Sequence, residues 1–336
     1  MTYHLKELPL PFSSSLFDVY LLRLESQILK NNILGDSATR YNYVLKPKAK
    51  GNYPVVFHLS GYYGNGPQVF NIKTFEPHFP DQIIQATVEG RVPLALHVFV
   101  DAMTSVGGSQ FINSKGCGAY GDYVQRELVS AVVESLPASQ RESDWALLGS
   151  SSGGYGALAH IASPKSPFGV ALAIAPDSAF ELSLLPEYYR WSSILKDIPT
   201  LKALKKKWAD QKWRESKSFF PVLNCIAMAL CYSEGSPQQI HYPIDLHTGE
   251  VQKKEFKQWL AKDPVDFLKK ANLKNKKIYL SVGRADEFNL QFGARNIHAG
   301  FNKKNKTHHY YEFDGGHYKS TQRKIEALEW LKTLWT

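Results

Sequence analysis

The stretch "WALLGSSSGGYGALAH", Trp145 to His160, decides how the rest of the chain is read. A compact apolar run, a cluster of small residues and a helix-forming segment follow one another with no spacer. This is the order of a strand, a tight turn and a helix, and the turn reads G-x-S-x-G. In that motif small residues two before and two after the serine relieve crowding around its strained backbone and leave its hydroxyl exposed at the apex. One register puts glycine on both flanks: Gly149, Ser150, Ser151, Ser152, Gly153. Ser150 would need a small residue at Leu148, and Ser152 lies between Ser150 and Gly154, a poorer match. Ser151 is therefore the candidate nucleophile. Gly154 and Gly156 fit a helix packed closely on a sheet, and a glycine-rich turn without chemistry is the alternative reading of the whole stretch.

Outward from this bend, short apolar runs bounded by turn residues recur: "PVVFHLS" (Pro54 to Ser60), "LALHVFV" (Leu94 to Val100), "GVALAIA" (Gly169 to Ala175) and "KIYLSVG" (Lys277 to Gly283). Runs this compact fit strands buried on both faces of a parallel sheet. Between them lie helical segments such as "DYVQRELVSAVVESL" (Asp122 to Leu136), with apolar positions three and four apart. The chain closes on "STQRKIEALEWLKTLW", another amphipathic helix, with Ser320 as its cap. The first 45 residues differ, since "LFDVYLLRLESQIL" and "TRYNYVL" alternate with the period of two that antiparallel strands show. The expectation is a doubly wound α/β fold with a mostly parallel sheet and antiparallel N-terminal strands.

From about Leu182 to Asp263 the rhythm breaks. This segment is rich in Trp, Tyr, Lys and Pro and contains the apolar piece "FFPVLNCIAMALCY". It is expected to be a lid-like insertion, about 182–263, in a single domain that spans 1–336. Tyr188, Tyr189, Trp191, Trp208 and Trp213 form either an aromatic wall for a substrate or the insertion's own small core.

A serine hydroxyl is a poor nucleophile at neutral pH and needs a histidine base held by a carboxylate. In a doubly wound hydrolase these partners follow the nucleophile in the order acid, then histidine. "KIYLSVGRADEF" supplies Asp286, four residues after Val282. Glu287 adjoins it, and Asp177 competes because it too follows an apolar run, "ALAIAP". Of the eleven histidines, His4, His58 and His97 precede the nucleophile and His160 lies on the helix after the bend. In "HHYYEFDGGHYKS", His308 and His309 begin a strand-like run. His317 instead follows Gly315 and Gly316 and precedes the last helix, the place for a base. An oxyanion hole needs two backbone N–H groups aimed at the developing charge. Ser152, after the nucleophile, supplies one, and Tyr62 in "VVFHLSGYYGN" is assigned the other.

Composition sets the outer limits. The chain has 336 residues, 43% of them hydrophobic, enough for a substantial core. No apolar run reaches the roughly 18 residues of a membrane span. The opening "MTYHLKELPLPF" lacks the basic-then-apolar layout of a secretory signal, so a cytoplasmic location is expected. Cys117, Cys225 and Cys231 form no CxxC, and no HxxxH or His/Asp cluster stands at ligand spacing, so neither a disulfide framework nor a metal site is expected. The net charge of +9 invites a nucleic-acid reading. Its clusters, "KKK" (Lys205 to Lys207), "KKANLKNKK" (Lys269 to Lys277) and "KKNK" (Lys303 to Lys306), are scattered as solvated faces are, and no nucleic-acid partner is expected.

The pieces "FHLSGYYGN" (Phe57 to Asn65), "GSSSGGYGAL" (Gly149 to Leu158), "GRADEF" (Gly283 to Phe288) and "GGHYKSTQRKIEALEWL" (Gly315 to Leu331) together resemble the esterase D-like esterase family of α/β-hydrolases. That family includes S-formylglutathione hydrolases, feruloyl esterases, enterochelin esterases and mycolyltransferases. The resemblance implies an α/β-hydrolase fold, no cofactor, a small-molecule ester as partner, Ser151, Asp286 and His317 as the triad, and Tyr62 and Ser152 as oxyanion donors. "TSVGGSQFINSKGCGAYGDYVQREL" (Thr104 to Leu128) also looks like family sequence. Gly61, Gln110 and Tyr155 stand as candidate substrate-binding residues, with a turn-stabilising role left open for Gln110. Ser150 and Ser152 depart from the bulkier neighbours usual in the glutathione-linked members, and the 182–263 insertion is long, so pocket shape does not carry over.

The function expected is hydrolysis of carboxylic esters by a serine esterase. An acyltransferase using the same triad with an alcohol or thiol acceptor is the alternative, and an inactive binding protein of hydrolase fold is the third reading.

Overall fold

Val-, Ile-, Leu- and Ala-rich runs build the middle of a nine-stranded sheet. The computed structural model describes residues 1–8, 14–71, 75, 77–318 and 320–335, and the Ser320 side chain, read above as a cap, lies outside the described residues. The strands are β1 (Thr2–Leu8), β2 (Phe17–Glu25), β3 (Thr39–Pro47), β4 (Val55–Leu59), β5 (Leu96–Phe99), β6 (Trp145–Ser150), β7 (Val170–Ile174), β8 (Lys277–Gly283) and β9 (His309–Phe313). Their order across the sheet is β1-β2-β3-β5-β4-β6-β7-β8-β9. From β5 to β9 the pairings are parallel, whereas β1, β2 and β3 join antiparallel at one edge. The molecule therefore has the α/β-hydrolase architecture expected from the sequence.

Burial explains why the two kinds of strand read differently. Every residue of β4, β6 and β7 is buried, as a strand covered by helices on both faces must be. β2 has one face toward solvent and alternates. β1 was not read from the sequence as a strand. It is a largely exposed edge strand, "TYHLKEL", paired along its length with β2.

The helices include α1 (Phe79–Val88), α2 (Val129–Ser135), α3 (Ser152–Ala162), α4 (Leu185–Leu195), α5 (Phe219–Tyr232), α6 (Pro264–Lys270), α7 (Leu290–Lys303) and α8 (Ser320–Lys332), with further helical pieces between them. The expected helix from Asp122 to Leu136 is not uniform. Tyr123–Leu128 winds as a π-helix before α2. There Glu127 turns inward to accept from the Ser26 hydroxyl and from the amides of Gln27 and Ile28, at 2.8 and 3.1 Å.

The insertion is helical, and "FFPVLNCIAMALCY" is α5 in full. It gathers a second apolar cluster that includes Tyr188, Trp213, Tyr232 and Trp259 and takes in Tyr62 and Tyr155 from the sheet domain. Of the five aromatics singled out above, Tyr188 and Trp213 belong to this core, Trp191 and Trp208 pack against it, and Tyr189 is exposed.

Sheet register determines where the chemistry gathers. Gly149 of β6 lies beside Leu59 of β4 and Ala173 of β7; Ile174 of β7 lies beside Ser281 of β8, and Gly283 of β8 beside Phe313 of β9. Parallel strands in this register end together. The segments after β4, β6, β7, β8 and β9 thus emerge at one edge, carrying Gly61 and Tyr62, Ser151, Asp177, Asp286 and His317 respectively.

Candidate active site

Ser151 occupies the bend between β6 and α3 with φ 56° and ψ −125°. Such a backbone is costly for a non-glycine residue, on the order of 1–3 kcal/mol, and persists only where surroundings impose it. Here the Ser151 amide donates to Ile174 O at 2.9 Å, and its carbonyl accepts from the Tyr155 amide at 2.9 Å. The flanking glycines are required by close approach. A Cβ on Gly153 would lie 2.1 Å from Leu59 O, and one on Gly149 would lie 2.2 Å from the Gly153 carbonyl carbon.

His317 lies in the loop between β9 and α8, and its Nδ1 is 2.8 Å from Asp286 Oδ2. Asp286 is held in turn: its Oδ1 accepts from the Phe288 amide at 2.9 Å, and its side chain is fully buried. Glu287 anchors the loop from the other side by accepting from the His317 amide at 2.6 Å. Burial disfavours the imidazolium, but the hydrogen bond and charge of Asp286, with the charges of Asp177 and Glu287, outweigh it. The His317 pKa is raised above its ordinary 6.5.

Asp177, after β7, contacts Ser151 itself. Its Oδ1 accepts from Ser151 Oγ at 3.1 Å and its Oδ2 from Ser152 Oγ at 2.9 Å. The Ser151 hydroxyl thus donates to Asp177, and among the described residues it has no hydrogen bond to His317. Asp177 is buried, and burial raises its pKa, against the opposing effects of the two hydroxyls and of His317.

The oxyanion candidates flank the bend. Ser152 opens α3, where a first-turn N–H has no acceptor within its own helix. The Gly61–Tyr62 loop packs against it, and a Cβ on Gly61 would stand 3.8 Å from Ser151 Cβ. The Tyr62 hydroxyl donates to Val106 O at 2.7 Å.

Gln110 and Tyr155, the remaining candidates, are both buried. Gln110 is fully buried, donates through Nε2 to Ser152 Oγ at 2.8 Å and accepts at Oε1 from the Tyr232 hydroxyl at 3.1 Å. Tyr155 is buried, with its ring 5.5 Å from that of Tyr232. It also lines a cleft of about 850 Å³ with Phe267, Lys262, Lys270 and Lys274, and that lining holds none of Ser151, Asp177, Asp286 or His317. Among the described residues no three His, Cys, Asp or Glu side chains converge to hold a metal ion. No helix among them is long and apolar enough to cross a membrane.

The sequence offered Asp177 only as a rival acid and Glu287 only as a neighbour of Asp286, and it gave no place to Tyr232. The first two had a signal, a carboxylate just past a strand. Tyr232 had none, because it reaches Gln110 from the insertion.

Solved structures share this fold. A ferulic acid esterase matches with a TM-score of 0.59 at 15% identity, over 96% of this chain and 99% of that one. An S-formylglutathione hydrolase from Agrobacterium tumefaciens matches with a TM-score of 0.59 at 14% identity over the whole of both chains. A fluorophosphonate-binding serine hydrolase from Staphylococcus aureus matches with a TM-score of 0.57 at 15% identity, over 94% of this chain and 99% of that one. No curated protein matches the chain by sequence. The family model described as "Putative esterase" matches residues 33–324, and the chain belongs to that family of carboxylic ester hydrolases.

Proposed function

We propose that this esterase is a serine hydrolase that works through an acyl-enzyme on Ser151, with His317 as base and Asp286 as its orienting acid. The Ser151 hydroxyl leaves Asp177 and gives its proton to His317 as Oγ attacks the ester carbonyl. The tetrahedral oxyanion takes hydrogen bonds from the Ser152 and Tyr62 amides. His317 then protonates the departing alcohol, and water releases the acyl group by the reverse sequence. Asp286 keeps the Nδ1 proton in place, which leaves Nε2 free to accept.

The observation that carries this reading is the left-handed backbone of Ser151 at the strand–helix junction. Strain of that kind, maintained by glycines that tolerate no side chain, presents one hydroxyl at the sheet edge where His317 also emerges. The test is Ser151→Ala, assayed on a short p-nitrophenyl ester and with a fluorophosphonate probe of the kind the Staphylococcus neighbour binds. We expect loss of labelling and a fall in kcat of about 10^4-fold or more. Parental turnover in the variant would overturn the assignment.

A further inference from the structure

Asp177 is a second carboxylate at the nucleophile. It lies three residues beyond the end of β7, past Ala175, whose φ of 42° turns the chain back over the bend. Its position is reinforced by a donor–acceptor relay. Tyr232 OH donates to Gln110, Gln110 Nε2 donates to Ser152 Oγ, and Ser152 Oγ donates to Asp177 Oδ2, while Ser151 Oγ donates to Oδ1. Every donor in the relay points toward Asp177. A protonated carboxyl would have to donate to one of the two hydroxyls and displace a bond already made, so the arrangement suits an ionised side chain.

A base that takes the Ser151 proton must come within about 3 Å of Oγ. Asp177 Oδ1 is 3.1 Å from the same atom. The imidazolium formed in the transfer therefore stands no more than about 6 Å from the Asp177 carboxylate, a range over which an opposite charge favours the charged form. The groups facing this pair are Asp286 and Glu287 from the loop after β8, and the buried hydroxyls of Tyr155 and Tyr232.

We propose that Asp177 is a catalytic residue of this esterase that holds the Ser151 hydroxyl in the resting enzyme and then shares with Asp286 the stabilisation of the His317 imidazolium. In the step itself the Ser151 O–H bond breaks, its proton passes to His317 Nε2, and the Oγ electron pair forms the bond to the acyl carbon. Asp177 gives up one hydrogen bond, keeps that from Ser152, and neither gains nor loses a proton. The proposal rests on Ser151 and His317 acting as described above.

The experiment follows the rate of fluorophosphonate labelling against pH, with the labelled peptide identified by mass spectrometry. Label on Ser151 tests the underlying reading; the pH midpoint of the acid limb tests Asp177. In Asp177→Asn we expect that midpoint to fall by about one pH unit, because an anion favouring the imidazolium has gone. Ser152→Ala, which removes a donor to Asp177 but neither its charge nor the Ser152 amide, leaves the midpoint in place. Should Asp177→Asn not fold, Asp177→Ser is the second variant, with the same fall expected. Label on Ser151 with an unmoved limb in the folded Asp177 variant overturns the proposal, as does an equal fall in Ser152→Ala.

Discussion

A methyl group on Gly153 would meet the Leu59 carbonyl at 2.1 Å, and nothing at that contact is a flexible side-chain end that gives way. The bend has to move relative to β4, which also leads into the Gly61–Tyr62 loop. We expect Gly153→Ala to destabilise the fold by about 1–3 kcal/mol or more, read as a lower denaturant midpoint. Gly300, on α7, makes a control, because an added Cβ there finds open space. Gly300→Ala should stabilise by about 0.5–1 kcal/mol through helix propensity alone. Residue-scale legibility followed the same division. Ser151 could be chosen among three serines because the steric demand of a bend falls on nearby positions of the chain. The choice of Asp177 as the acceptor of its hydroxyl could not, since that depends on how far β7 extends beside β6.

At the scale of elements, three loops that carry candidate site residues each bring an exposed aromatic beside them. Tyr63 follows Tyr62, Phe288 follows Asp286 by two, and Tyr318 follows His317, with exposures of 53%, 39% and 66%. The insertion adds Phe220 from the start of α5, 55% exposed, with its ring 5.1 Å from that of Tyr63. Phe288 lies 4.8 Å, ring to ring, from His317 itself. We expect these rings to contact an aryl or otherwise bulky apolar group on the ester. We expect Phe220→Ala to raise KM for p-nitrophenyl esters about 3- to 10-fold, a loss of about 1 kcal/mol of ring contact, with little change for methyl esters of short acids. Equal effects on both esters would show that these rings do not select substrate. The lysine clusters also gain a structural meaning at this scale. Lys304 and Lys306 donate to the carbonyls of Lys269, Leu268 and Ala271, which satisfies the C-terminal end of α6, and Lys276 donates to Ser166 O and Phe168 O.

Across the whole molecule, a pair of buried histidines lies on the adjacent central strands β4 and β5. His58 Nε2 of β4 is 2.9 Å from His97 Nδ1 of β5, with the His58 ring stacked on Phe99. Burial lowers both pKas, that of His97 to about 3, and Lys324 adds to the effect at His58. His160 is likewise lowered by burial, to about 4. These rings are neutral in the fold, whereas in the unfolded chain they take up protons below about pH 6.5. Their contribution to stability is complete above that pH and is lost as pH falls below it, down to about 4 for His160 and about 3 for His97, at about 1.4 kcal/mol per pH unit for each of these two. We expect the denaturant midpoint to fall across this window, and less steeply in a variant carrying both His58→Leu and His97→Leu. Parallel slopes in the two proteins would remove the pair as the cause.

What the sequence determined by itself is what short-range sterics and burial impose. Strands covered on both faces must be continuously apolar, a helix must repeat its apolar face, and a strained bend must have glycines at fixed offsets. Those constraints act between residues close in the chain, so β4, β6, β7, β8 and the bend at Ser151 could be read from it. Tertiary structure alone decided the rest: the inward turn of Glu127 within a π-helical segment, the reach of Tyr232 from the insertion to Gln110, and the donation of the Ser151 hydroxyl to Asp177. Each depends on the distance between atoms many residues apart. That distance is settled by sheet register and by how an apolar insertion packs on the sheet edge, neither of which leaves a periodic mark in the sequence.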